Sequence, residues 1–202
     1  MIKYSKPAPA DVEIHSLLKE RWSPRAFSEK MPDRKVLRRL FEAARWAPSS
    51  SNEQSWRFIV GIKGENGSWE KVFSCLDDGN REWCKRVPVL VLACAKKHFS
   101  FGRQAENKHY GHDVGQSLAH LTVQAMHEDL FVHQMAGFDV EKTTEVFSIP
   151  EEFLPFTCAA IGYQDDPDVL EEKNAARERG ERKRKLIQET VFGDGWEKPL
   201  FV

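Results

Sequence analysis

Hydrophobic side chains recur every three or four residues in several segments, a spacing that places them on one face of a helix. The clearest stripe follows Asp33, a residue type that caps helix N-termini, and Pro48 ends it. After Tyr163 the chain is charge-rich and weakly apolar, which indicates a solvated helix followed by an extended arm. Other helices are predicted at residues 11–20 with Asp11 as the cap, near 69–76, at 114–125 and after Asp139.

Three short runs are apolar almost without interruption and indicate buried strands. They are WRFIVGI at residues 56–62, PVLVLACA at 88–95 and FTCAAIGY at 156–163. Because these runs alternate with helices, the pattern predicts an α/β fold in which helices cover both faces of a sheet. The 202 residues are predicted to form a single domain, 1–202, with 164–202 as a C-terminal arm.

Composition and charge narrow the functional classes. Apolar residues make up 41% of the chain and charged residues 30%, which is typical of a folded globular protein. A net charge of −1 provides no overall field for nucleic acid or a membrane surface, so neither is expected as a partner. The N-terminal stretch shows no apolar leader, and the longest apolar run, 87–95, is too short to span a membrane. The four cysteines form no CxxC pair and are interpreted as reduced packing groups in a cytoplasmic protein.

The first candidate for chemistry is the turn RWSPRAF. Arg21 and Arg25 flank Ser23, and Pro24 disfavours helix at this point. Two guanidinium groups held close together in a turn suit the bidentate capture of a phosphate or a carboxylate. Taken alone, the same stretch also fits a solvated turn with surface ion pairs.

The second candidate is the loop APSSSNEQSW. This loop offers hydroxyl and amide groups that can bond the edge of a polar heterocycle or a polyol, from Ser49, Ser50, Ser51, Asn52 and Gln54. Trp56 is predicted to anchor the loop in the core. Serine and asparagine also terminate helices and form turns routinely, so this stretch alone leaves both interpretations open.

The other candidates are weaker. The basic cluster 182–185 also fits a solvated face, and it is short and lacks the aromatic residues of a nucleic-acid site. Gly137 permits a close approach of another group, whereas His133 is interpreted as a packed side chain. His109 and His112 lack the cysteine or carboxylate partners of a metal site. No dinucleotide fingerprint, Walker loop or nucleophile elbow is present.

Taken in order, these segments resemble the nitroreductase family of FMN-dependent NAD(P)H oxidoreductases. The turn matches the family's Arg-x-Ser-x-Arg pattern, and EAARWAPSSSNEQSW matches its next motif except that Ser55 stands where proline is usual. GFD at 137–139, IPE at 149–151, IGY at 161–163, RKRKL at 182–186 and WEKPL at 196–200 follow in the family's order. The resemblance covers nearly the whole chain, and the ordered set is more specific than any single motif.

The resemblance implies a nitroreductase-like α/β (α+β) fold with a mixed, mainly antiparallel sheet flanked by helices. It also implies an intertwined homodimer in which the arm embraces the partner subunit and FMN lies at the interface. Arginines would bind the FMN phosphate, Ser23 the pyrimidine side, and the loop the ribityl chain or ring, while 135–137 would lie against the ring near N5. The residues implied in cofactor binding are Arg21, Trp22, Ser23, Arg25, Pro48, Ser49, Ser50, Asn52, Gln54, Met135, Ala136, Gly137, Arg182 and Arg184.

The implied activity is a ping-pong reaction on FMN. NAD(P)H passes a hydride to flavin N5, and a planar small-molecule acceptor such as a nitroaromatic or a quinone then receives it. Neither a catalytic side chain nor a metal is implied. The alternatives are a relative on the same fold that performs reductive dehalogenation or flavin cleavage, a flavin-binding protein without turnover, and a module whose basic arm binds an acidic partner.

Three departures from the family pattern carry expectations of their own. Without the proline at Ser55, Trp56 and the strand after it are expected to hold the loop. Ala136 supplies no carboxylate near N5, so a proton would come from water or substrate. The bulky run 130–132 replaces the common Gly-Leu-Gly and is expected to reshape the pocket over the flavin.

Overall fold

A computed structural model describes residues 4–65, 67–101 and 105–201 of the chain, and a four-stranded sheet forms its centre. The strands are β1 (Trp56–Ile62), β2 (Val89–Lys96), β3 (Leu130–Met135) and β4 (Phe153–Tyr163). They lie in the order β1-β2-β4-β3, and each neighbouring pair is antiparallel. The prediction of a mainly antiparallel sheet flanked by helices is confirmed, and the described strands contain no parallel pair.

Strand β3 is the element that the hydrophobic pattern did not predict. It begins directly after Asp129, whose positive φ of 58° turns the chain back from the preceding helix. Leu130, Phe131 and Val132 are buried in the core. These three side chains fill the space between the sheet and the elements packed on it, and their effect on a pocket over a cofactor stays a prediction.

Seven helices flank the sheet in the described ranges. They are α1 (Ser16–Glu20), α2 (Arg34–Arg45), α3 (Ser68–Cys75), α4 (Asp78–Cys84), α5 (Tyr110–His127), α6 (Val140–Phe147) and α7 (Glu172–Arg179). Asp33 and Asp139 cap their helices as predicted, because each side chain accepts a hydrogen bond from a backbone N–H of the first turn. The prediction for α1 is wrong in length: His15 caps it, and Asp11 lies before it. Helix α4 was not predicted, because its residues are mostly polar.

Helices cover both faces of the sheet, as the sequence predicts. Successive residues of a strand point to opposite faces, so Val89 and Val91 pack with α2 and α5 while Leu90 and Leu92 pack with α3 and α4. The two layers explain why β2 is apolar at nearly every position. All four cysteines are free and buried, which agrees with their interpretation as packing groups. Within the described ranges, no helix is long and apolar enough to span a bilayer.

We expect Gly61→Ala to lower the free energy of unfolding by about 1–3 kcal/mol, as overpacking does. A Cβ at Gly61 would lie 2.5 Å from both Cα and N of Trp69, and these backbone atoms cannot move without displacing the start of α3. Urea denaturation measures the effect. Gly79→Ala is the matched control, because the nearest atom to its Cβ lies at 3.7 Å, so its stability should not fall below that of the wild type. Equal stability of the two variants would contradict the tight contact between β1 and α3.

Candidate functional site

The turn that contains Arg21 and Arg25 lies beside β3 and the end of β4. The carbonyl oxygen of Pro24 is 2.8 Å from Nδ1 of His133 on β3. The N–H of Ser28 donates to the carbonyl of Tyr163, and Phe27 bridges to the residue after β4. The turn is therefore tied to the sheet at one edge.

Positive charge accumulates around this turn. Burial, together with the nearby guanidinium groups of Arg182 and Arg184, lowers the pKa of Arg21. Burial and Arg184 also lower the pKa of Arg182. Within the described ranges, no carboxylate oxygen lies within 4.0 Å of a side-chain nitrogen of these three arginines or of Arg25. An anion bound here would relieve the repulsion among these cations.

The residues between the two arginines have separate roles. The hydroxyl of Ser23 lies 3.5 Å from Nη1 of Arg21, at the limit of a hydrogen bond. Trp22 is buried in the core, where its ring contacts Phe131 edge-on and Lys6 lies over its face. Its indole N–H has no hydrogen-bond partner in the described part of the chain. The structure thus places the side chain of Trp22 beneath the turn rather than on its surface.

The Ser/Asn loop precedes β1, and a buried carboxylate holds both of its ends. Asp113 on α5 is 1% exposed. Its Oδ1 accepts a hydrogen bond from the N–H of Ser50 at 3.1 Å, and its Oδ2 accepts one from the hydroxyl of Ser55 at 3.4 Å. Oδ2 also accepts the side-chain amide of Asn107 at 3.5 Å. Ser55 therefore provides a bond that the family's usual proline cannot make.

The tip of this loop is tightly turned. Ser51, Asn52 and Gln54 have positive φ angles of 50°, 55° and 52°, and the side-chain amide of Gln54 donates to the carbonyl of Asn52 at 3.2 Å. The N–H of Gln54 donates to the Ser49 hydroxyl at 3.0 Å. Asn52 is exposed at the tip. Beside the loop lies a cleft of about 290 Å³ that is lined by Pro48, Ser49, Ser50, His109, His112 and Asp113.

The segment 135–137 follows β3. Met135 is buried, and the thiol of Cys84 donates to its sulfur at 3.7 Å, whereas Ala136 is exposed. The carbonyl of Gly137 accepts from the N–H of Asp77 and from the side chain of Asn80. A Cβ at Gly137 would lie 2.0 Å from a carboxylate oxygen of Asp77, so the close approach that needs this glycine is to the start of α4.

The predicted residues form two groups at opposite edges of the sheet. The turn and the arginines of the arm lie beside β3, together with 135–137, whereas the Ser/Asn loop adjoins β1. Four strands separate these edges by about 14 Å, since neighbouring strands are about 4.8 Å apart. Within the described ranges, no hydrogen bond or ion pair connects the loop to the turn. One chain thus presents two halves of the predicted site.

Two buried carboxylates hold the backbones of the loop and the turn in place, and neither was predicted from the sequence. Asp113 holds the loop, and Glu178 on α7 accepts hydrogen bonds from backbone N–H groups of the turn. Asp113 could have been recognised from the sequence as a carboxylate within the largely apolar helix that follows β2. The residues before and after Glu178 are charged, so no pattern separated it from the solvated face. In the described ranges, no group of three His, Cys, Asp or Glu residues is arranged to hold a metal ion.

Comparison with known proteins gives matches to a family profile, to curated proteins and to solved structures. The profile described as "Nitroreductase family" matches residues 18–72, which contain both the turn and the loop. An uncharacterised 15.4 kDa protein of Mycolicibacterium smegmatis is 30% identical over 152 residues, which are 71% of this chain and 99% of that protein. A crystal structure of an oxidoreductase containing FMN superposes with a TM-score of 0.88 at 28% identity, over 96% of this chain and 98% of that one.

This chain belongs to the nitroreductase family. The fold predicted from the resemblance is thereby confirmed, including the antiparallel sheet with helices on both faces. A further relative is the iodotyrosine deiodinase of Thermotoga neapolitana, which is 23% identical over 175 residues, or 76% of this chain and 90% of that protein. The two predicted half-sites of this nitroreductase-family chain differ in chemistry. Guanidinium groups without an ion-paired carboxylate in the described ranges lie at one edge of the sheet, and hydroxyl and amide groups lie at the other.

Proposed function

We propose that this protein is an FMN-dependent oxidoreductase that transfers reducing equivalents from NAD(P)H to planar acceptors such as nitroaromatics or quinones. The observation that carries the proposal is the group of guanidinium side chains at the turn that have no carboxylate partner in the described ranges. Arg21 and Arg184 suit the two charges of a phosphate monoester, which matches the terminal group of FMN. The FMN that the similar crystal structure contains supports this choice.

The assembly that we propose is an intertwined homodimer. Because the loop and the turn lie at opposite edges of one sheet, a single cofactor would contact both only if two copies bring them together. The C-terminal arm, which we propose as part of a single domain, carries side chains that a partner could cover, since they are exposed in the single chain. These are Leu186, Ile187, Trp196, Leu200 and Phe201.

The protein groups have distinct roles in this proposal. When bound, FMN supplies a hydride acceptor and donor at N5. Arg25 and Ser23 would face the polar edge of the ring, where positive charge favours a reduced, anionic flavin. Asn52 and Ser50 from a second copy would bond the ring or the ribityl chain. Ala136 provides no carboxylate beside the ring, so we propose that the acceptor or water supplies any proton.

The buried and exposed members of the predicted set contribute differently. Met135 and Trp22 would support the site from within the core, whereas the backbone of Ala136 and Gly137 would border the cofactor. Pro48, Ser49 and Gln54 shape the loop that presents Asn52. We also propose a cytoplasmic location, because the four cysteines are free and buried.

The direct test is to purify the protein, desalt it after addition of FMN, and record the flavin absorbance. Retained flavin that bleaches anaerobically with NADH or NADPH, and recovers with a nitrofuran or a quinone, supports the proposal. Turnover with a halotyrosine alone would favour reductive dehalogenation, the second candidate that the similarity to the deiodinase suggests. Bound flavin that neither nucleotide reduces indicates a binding protein without turnover. Protein that retains no flavin overturns the proposal at its first step.

We expect Arg21→Ala to weaken FMN binding by about 10- to 100-fold, the value of one charge-assisted hydrogen bond. The substitution removes one guanidinium group and leaves its backbone contacts intact. Equilibrium dialysis of the apoprotein against FMN measures the loss. Arg38→Ala, at an exposed position on α2, is the matched control and should bind FMN as the wild type does. Equal affinities of the two variants would move the phosphate site elsewhere.

A further inference from the structure

Glu178 is a buried carboxylate on a helix whose other residues are mostly polar. The residue is 1% exposed. Its two carboxylate oxygens accept the N–H of Arg25 at 2.8 and 3.0 Å, and one of them also accepts the N–H of Ala26 at 2.9 Å. Burial raises the pKa of the carboxyl, and these two amides act in the opposite direction. A buried carboxylate is stable only when such donors satisfy it, so Glu178 and the turn depend on each other.

Arg182 follows α7 and binds three carbonyl groups of the chain. Its Nη1 donates to the carbonyls of Lys6 at 2.7 Å and Lys19 at 2.9 Å, and its Nη2 donates to the carbonyl of Arg21 at 2.8 Å. A guanidinium group has five N–H donors, and three of them are used in these bonds. The hydrogens that remain are one on Nη2 and one on Nε, so Nη1 has no hydrogen left for a phosphate and only the Nε side of the group is free.

Together these contacts fix the backbone of the turn at four points. Arg182 binds the carbonyl of Arg21, His133 binds that of Pro24, and Glu178 binds the N–H groups of Arg25 and Ala26. The backbone is thus held from α7, from the residues after it and from β3. Since the backbone is fixed in this way, a ligand that binds the side chains at 21, 23 and 25 does not also have to order the backbone of the turn.

We propose that Glu178 and Arg182 are positioning residues that hold this turn in its ligand-binding shape, and that Arg182 is not a ligand of the cofactor phosphate. The inference rests on the proposed function, and it revises the role that the family resemblance implies for Arg182. Arg184 takes the role of phosphate ligand in the arm. It is exposed, and the one hydrogen bond that its side chain makes in the described ranges is to the carbonyl of the adjacent Lys183.

Binding of FMN and riboflavin to the apoprotein separates the two roles, because the ligands differ only in the phosphate. Arg184→Ala should lower the affinity for FMN about tenfold or more and leave riboflavin unchanged, so the ratio of the affinities falls. Arg182→Lys keeps the charge but cannot reach three carbonyls, and Glu178→Ala removes both oxygens that accept the N–H groups of Arg25 and Ala26. Both should weaken the two ligands alike, by about 3- to 30-fold, with the ratio unchanged.

Two results would overturn the inference. One is that Arg182→Lys and Arg182→Ala lower the ratio as Arg184→Ala does, which would make Arg182 a phosphate ligand. The other is that Arg182→Lys and Glu178→Ala leave both affinities at the wild-type values.

Amide hydrogen exchange of the free protein provides a readout that needs no cofactor. Glu178→Ala should accelerate exchange at the N–H groups of Arg25 and Ala26, and Glu172→Ala, on the exposed face of α7, should not. If the wild type binds neither flavin, the proposed function fails while this measurement still decides the positioning role. Unchanged exchange at both amides would contradict that role.

Discussion

Asp113→Ala is expected to lower the free energy of unfolding by about 3 kcal/mol and to release the Ser/Asn loop from α5. The substitution leaves the hydroxyl of Ser55 and the side-chain amide of Asn107 without their acceptor, and both residues are fully buried. A buried donor without a partner costs about 1–3 kcal/mol. The N–H of Ser50 loses its acceptor as well, although solvent reaches it more easily.

Urea denaturation of the apoprotein measures the stability term of this prediction. Asp113→Asn is the informative intermediate, because it retains one acceptor oxygen and should lose less stability than the alanine variant. Asp11→Ala is the matched control, since Asp11 is exposed and lies before α1, and its effect should stay within about 0.5 kcal/mol. Equal stability of the Asp113 and Asp11 variants would show that the carboxylate does not hold the loop.

The same substitution tests how this chain manages without the proline that its family usually has before Trp56. Proline restricts its own backbone, whereas Ser55 is held through its hydroxyl on Asp113 and through its carbonyl, which accepts the N–H of Lys96. A second carboxylate supports the tip, because Glu53 accepts from the N–H and the hydroxyl of Ser100. In protein that still folds, Asp113→Asn should therefore weaken FMN binding through the loss of the loop's shape.

Elements that are defined by local signals could be predicted from the sequence. Strand β1 was placed to the residue, since an apolar run begins at Trp56 directly after the polar loop and ends at a glycine turn. Helix α2 was recognised by its cap at Asp33 and its apolar stripe. Helix α4 and strand β3 were not predicted, because their hydrophobic residues do not recur at a regular spacing. Tertiary contacts determine their structure. Met135 and His133 belong to such a strand.

The site was only partly predictable, because its geometry depends on contacts between distant parts of the chain. The turn and the loop were recognised from residue types and from the family resemblance. Their placement at opposite edges of the sheet follows from the strand order β1-β2-β4-β3, which no local pattern encodes. Glu178 reaches the turn across 153 residues of sequence, and Arg182 reaches Lys6 across 176. Neither contact leaves a periodic signal.

His133 is expected to destabilise the folded protein in acid by up to about 3 kcal/mol. Burial, with a smaller contribution from the charge of Arg25, lowers the pKa of His133 from its ordinary value of 6.5 to about 4, although the bond to the carbonyl of Pro24 acts in the opposite direction. Between these two pH values His133 is protonated in the unfolded chain and stays neutral in the folded chain. The free energy of unfolding therefore falls as the pH drops from about 6.5 to about 4, by about 1.4 kcal/mol per unit, and this contribution is constant outside that window.

Urea denaturation of the apoprotein at a series of pH values tests this expectation. His133→Asn keeps a donor for the carbonyl of Pro24 but cannot titrate, so it should lose stability by a constant amount at every pH through lost packing against Trp83. Relative to this variant, the wild type should lose about 3 kcal/mol between pH 7 and pH 4. His120→Asn, at an exposed position on α5, is the matched control for the removal of a histidine. Parallel stability curves for the wild type and His133→Asn would mean that His133 has the same pKa in the folded and unfolded chains. That result would contradict the lowered pKa of His133 in the folded protein.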